Sequence, residues 1–150
     1  MQSNNESSIS GNVYFRRQRG DGIEILLDLR GFPTNEQAHG IQVHEFGGLT
    51  GGCETLGGHY NPHNRRHGSH EGDLGNFRPN SSGVLRQTVP HVHLQLHGAL
   101  SIIGRSIVVH VDEDDLGHLD EPGSSQHGNA VHRLTCCVIG VSSGRGWPQE

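Results

Sequence analysis

Apolar and polar positions alternate along much of this chain with a period of two, the signature of half-buried strands. Residues 12–17 alternate, with Val13 and Phe15 on one face. Residues 23–29 follow, with Ile23, Ile25, Leu27 and Leu29 sharing a face, and Gly31-Phe32-Pro33 ends that strand. In residues 41–46, Ile41 and Val43 point away from Gln42 and His44. Val92, Leu94 and Leu96 alternate with His91, His93 and Gln95, which predicts a strand with a histidine-bearing face. Residues 102–111 form an apolar, β-branched run, and residues 134–141 read as a closing strand. Two stretches lack periodicity: 47–80, rich in Gly, His, Asn and Pro, and 112–129, acidic at its start. Loops of that length in a compact domain are functional or held by something other than burial. No helix of useful length and no repeat is visible. The pattern predicts an all-β sandwich or barrel with two long functional loops. Residues 1–10 are polar and expected to be frayed, residues 11–142 form the domain, and residues 143–150 are a tail.

Composition sharpens this picture. Hydrophobic residues make up 31% of 150, so the core is lean, and 23 glycines favour turns over helices. A formal net charge of -5 with no basic stripe argues against a nucleic-acid partner. No apolar run approaches the roughly 20 residues of a membrane span. Histidine stands out at 13 residues, which directs attention to metal, since neutral imidazole is the commonest metal ligand. The ladder of His91, His93, Gln95 and His97 is read as a solvated face, with a surface site for a divalent ion as the alternative. His63 and His118 add to the surface histidine content. The cysteines are Cys53, Cys136 and Cys137, so one stays unpaired if a disulfide forms. Asn5 and Asn80 head Asn-X-Ser sequons and are glycosylation candidates in a secreted chain.

Five blocks carry the chemistry: HGIQVHEFG from His39, GCETLGGHYNP from Gly52, HGSHEGDLGN from His67, SIIGRSIVVHVDEDDLG from Ser101 and GNAVHRLTCCVIGV from Gly128. In order and spacing they resemble the copper/zinc superoxide dismutases, most closely the extracellular ones. The resemblance implies an eight-stranded Greek-key β-barrel of immunoglobulin-like sandwich type. It implies a zinc site at His59, His67, His70 and Asp73. Three imidazoles and a carboxylate form a closed, structural tetrahedral set. It implies copper ligands at His44, His59 and His110, with His59 bridging both metals. At the fourth copper position, where the family has histidine, this chain has Gln42. Asp114 corresponds to the aspartate that links the zinc ligand His67 to the position of the missing histidine. Arg133 corresponds to the arginine that draws superoxide inward, with hydrogen bonding to the disulfide loop as its structural alternative. Cys53 and Cys136 correspond to the family's disulfide, worth about 4–5 kcal/mol on the chain-entropy model, and an oxidising compartment follows. Cys137 would face the opposite way as an apolar filler.

Departures from the pattern matter as much. An amide oxygen is a hard, weak donor for copper, so the copper site is expected to be empty, or filled weakly by copper or zinc. Gly48, Gln126, His127 and Val131 depart from the family around the substrate channel. The expected function is an extracellular, zinc-bearing, dismutase-like metal-binding protein with little or no activity and a tendency to form homo-oligomers. Histidine content and the lost ligand are similar to the bivalve haemolymph proteins of the pernin and cavortin type. The alternative is an active extracellular enzyme converting superoxide to oxygen and hydrogen peroxide. A copper chaperone is disfavoured, because no CxxC transfer motif is present.

Overall fold

The computed structural model describes residues 2–3, 8–20, 22–67, 70–115 and 132–147. Its strands are β1 (Gln2–Ser3), β2 (Ser10–Arg17), β3 (Ile23–Arg30), β4 (His39–His44), β5 (Asp73–Phe77), β6 (Val84–Val92), β7 (Ser106–His110) and β8 (Arg133–Val138). They form two antiparallel sheets, ordered β1-β8-β7-β4-β5 and β2-β3-β6. This is the expected all-β sandwich. The hydrogen bonding does not run continuously around it as a closed barrel among the described residues. No helix among them is long and apolar enough to cross a membrane.

Alternation decides which side chains meet. Ile25, Leu27 and Leu29 of β3 pack against Ile41 and Val43 of β4 and Ile107 and Val109 of β7, all fully or nearly fully buried. The opposite faces of β4 and β7 are therefore free to carry Gln42, His44 and His110. They are buried too, beneath the long loop that follows β4. A smaller apolar cluster of Cys53, Leu56, Val108 and Cys136 fastens that loop to β7 and β8.

Backbone hydrogen bonds tie down the loop that lacks hydrophobic periodicity. Val43 N donates to Gly72 O, Tyr60 N to Val43 O and Glu45 N to Gly58 O. Gly72 has no room for a side chain, because a Cβ there would lie 2.5 Å from Val43 O. Within this stretch the chain makes a 3-10 turn at Gly52–Thr55 and then strand β5.

Three sequence expectations change. The expected histidine-bearing strand is only the end of a longer one: β6 runs from Val84 to Val92 and takes in His91, and beyond it the described residues keep only an isolated Gln95–Ser101 bridge. Residues 102–105 precede β7 as a turn, with Arg105 N donating to Ile102 O. The closing strand stops at Val138. β1 pairs with β8, and Ile9 is buried just before β2. Trp147 packs edge-on against Tyr14 and beneath the Arg16 guanidinium.

Candidate metal centre

The site is built on the outer faces of β4, β7 and β8. The β4–β5 ladder shifts register between Ile41 and Gln42, and the β7–β8 ladder between Val109 and His110. Bulges re-aim side chains beside functional sites, and both fall at residues of this centre.

Ring and carboxylate atoms converge in two groups: His59, His67, His70 and Asp73, and His44, His59 and His110, each within 4.8 Å. His59 belongs to both. Its Nδ1 lies 3.2 Å from His67 Nδ1 and 3.3 Å from Asp73 Oδ1, which leaves Nε2 for the second group. Asp73 Oδ1 is also 3.3 Å from the Nδ1 atoms of His67 and His70. Around an ion with bonds of about 2.0 Å, tetrahedral donors sit about 3.3 Å apart. The spacing fits zinc.

The proton arrangement also fits. His67 Nε2 donates to Asp114 Oδ1 at 2.6 Å, because a carboxylate only accepts. His67 Nδ1 then offers a lone pair to a carboxylate oxygen, a contact that is repulsive unless a cation lies between them. Burial works against charge on His67, yet its hydrogen bond to Asp114 and the charges of Asp73 and Asp114 outweigh it and raise its pKa. Burial alone would raise the Asp73 carboxyl, but hydrogen bonds from His59 and His70 hold it far below the usual range. Burial lowers His59 against the pull of Asp73.

Asp114 joins the two groups. Its second oxygen accepts from Gln42 Nε2 at 2.7 Å, so the carboxamide keeps the link that the sequence led us to expect. Asn76 closes on the same residue, donating to Asp114 O and accepting from Asp114 N at 2.6 Å. His39 Nδ1 donates to His110 O at 2.9 Å and steadies the backbone there. Sequence reasoning passed over His39 and Asn76, although both lie within the motif blocks. Backbone recognition of this kind leaves no spacing pattern to find.

Arg133 Nη1 donates to Cys53 O and Nη2 to Gly57 O, both at 2.5 Å. This is the hydrogen bonding to the disulfide loop weighed above. Cys53 and Cys136 form the disulfide. Cys137 is half-buried and packs against the main core. His63 pairs with Glu71 at 2.5 Å. His93 and His97 are exposed around an open cavity of about 380 Å³ that also holds Arg17. They join neither metal group, and the guanidinium opposes a cation there. Asn80 is exposed at a turn, where its Oδ1 accepts from Ser82 N and Val84 N. Asn5, His118, Gln126, His127 and Val131 lie outside the described residues.

Residues 9–139 match the family described as copper/zinc superoxide dismutase. The chain belongs to the copper/zinc superoxide dismutase family. Among its dismutase relatives, the extracellular protein of Rattus norvegicus is 41% identical over 97% of this chain and 60% of its own length. The extracellular protein of Drosophila melanogaster is 41% identical over 94% of this chain and 80% of its own length. The copper/zinc dismutase of Botryotinia fuckeliana is 39% identical over 92% and 94%. The chain spans about 60% of the length of its mammalian extracellular relatives.

A pH dependence follows for the metal-stripped dismutase fold. Burial and the neighbouring charge of His59 push the His44 pKa well below 6.5. Burial, His59 and Arg133 bring His110 down to about 3. Both rings stay neutral when folded and protonate near 6.5 when unfolded, so their stabilisation is full above 6.5 and lost as pH falls toward about 3. His67, with its raised pKa, acts above that window. Urea midpoints of chelator-treated protein should drop across it, and drop less in His110→Gln. A flat profile would contradict the assignment.

Proposed function

We propose that this chain is an extracellular, zinc-holding, dismutase-like protein whose second metal site does not sustain superoxide turnover. The observation that carries this reading is Gln42. A carboxamide stands at the fourth copper position, fully buried and hydrogen-bonded to Asp114. Zinc would be held by His59, His67, His70 and Asp73, where it supplies order to a loop with little apolar content of its own. Copper supplies one-electron chemistry when bound, and cycling needs donors suited to both of its oxidation states. Arg133 gives less support to anion steering than its sequence position suggests, since two carbonyls engage its guanidinium.

Secretion is supported by the disulfide and by the extracellular relatives. Exposure on its turn supports Asn80 as a glycan acceptor. Self-association is supported by an exposed apolar patch. Phe46, Ile103 and Val138 are 58%, 40% and 44% exposed. They are drawn together where a Cβ on Gly47 would meet Gly104 O and Val138. A haemolymph carrier role rests on histidine content and the altered ligand. The second reading, an active dismutase, is favoured by the convergence of His44, His59 and His110.

Metal analysis of purified protein, paired with superoxide turnover, tests the proposal. Bound zinc with little copper and little turnover is expected. In Gln42→His, copper affinity should rise at least roughly 10-fold. Unchanged copper occupancy in that variant would count against this account of the site.

A further inference from the structure

The Gln42 side chain is fully buried, and its nitrogen is committed to Asp114. Turning the amide over would set its oxygen against a carboxylate, which can only accept, so the orientation is forced. Gln42 Oε1 is then left buried with no hydrogen-bond partner. Leaving a buried acceptor unpaired costs roughly 1–3 kcal/mol, and such an atom calls for a partner the protein does not supply. Gln42 and His44 sit two positions apart on β4 and share the face that carries the second histidine group.

That group has a shape as well as a donor set. His44 Nδ1–H donates to Gly57 O at 3.0 Å, so its Nε2 lone pair faces the group. His44 Nε2 and His110 Nε2 are 3.2 Å apart. With metal–nitrogen bonds of about 2.0 Å, neighbouring donors lie about 3.3 Å apart in a tetrahedron and about 2.8 Å apart in a square plane. The spacing of this pair lies nearer the tetrahedral value, the geometry zinc prefers, whereas cupric ion prefers a tetragonal one. Cuprous ion tolerates this spacing but favours donors softer than a carboxamide oxygen.

We infer that Gln42 Oε1 completes a site of three imidazoles and one oxygen with His44, His59 and His110, and that this site takes a second zinc ion. The loaded chain then carries two zinc ions joined through His59. Asp114 serves both, orienting His67 toward the first and Gln42 toward the second. This deepens the proposed function and rests on it, because the site must first be unsuited to copper cycling.

The test uses the full chain with its disulfide intact, stripped by chelator and titrated with Zn²⁺ against a chromophoric indicator. Two zinc ions per chain are expected. His44→Ala should abolish the second equivalent and leave the first at wild-type affinity. Gln42→Leu should weaken the second equivalent roughly 10–100-fold, with the first read separately in the same titration. One zinc ion per chain in the wild type overturns the inference, as does a second equivalent indifferent to Gln42→Leu. A parallel sample is loaded with equimolar Cu²⁺ and Zn²⁺ and taken through repeated ascorbate reduction and reoxidation. Copper retained through those cycles, with superoxide turnover, sinks the proposed function as well. One zinc ion without copper cycling overturns only the second site.

Discussion

Stripping zinc from the folded chain should lower its unfolding midpoint, and Asp73→Asn should do the same while making the protein indifferent to chelator. The Asp73 side chain is 3% exposed, and its Oδ1 lies within 3.3 Å of three imidazoles. Asparagine keeps the shape but removes the one anionic donor of a closed tetrahedral zinc set. Metal ligation alone supplies about 10–16 kcal/mol in small zinc domains. The effect here stays below that scale, because the sandwich has a core of its own. Denaturant melts with and without chelator measure it. A wild-type midpoint that ignores chelator would remove zinc from the account of stability.

Reducing Cys53–Cys136 should remove about 4–5 kcal/mol. The two residues are 83 apart in sequence, so the bridge withdraws a large share of the conformations open to the unfolded chain. It also anchors the small cluster of Leu56 and Val108. Urea midpoints with and without reductant, compared with Cys53→Ser, read the effect. If the variant and the reduced wild type both match the oxidised protein, the bridge contributes nothing to stability. The two effects share one loop and should not add, since residues within a network couple.

Strands that bury one face could be read directly from the chain. In β3 and β4 the alternating residues Ile25, Leu27, Leu29, Ile41 and Val43 are those the core takes. Strand β5 was invisible, because Asp73–Phe77 contains Asp, Gly and Asn and owes its form to pairing with β4. The first part of β6 was hidden by its polar residues and by Pro90, although Leu85 is buried and Val89 packs on the core. The alternation of Val92, Leu94 and Leu96 misled for a related reason. Leu94 is buried, but by a loop rather than a strand. The cluster of His59, His67, His70 and Asp73 and the disulfide could be read from ordered motif blocks. The contacts that hold them could not, because Asn76, His39 and Arg133 act largely on backbone groups whose positions no motif encodes.

The carbonyl of Gly57 is a shared tether: it accepts from His44 Nδ1 at 3.0 Å and from Arg133 Nη2 at 2.5 Å. Arg133 also holds Cys53 O, so one guanidinium spans the bridged loop and the peptide that sets the His44 tautomer. Opening the Cys53–Cys136 bridge would free the loop on which this guanidinium rests, and with it the carbonyl that holds His44 Nδ1–H.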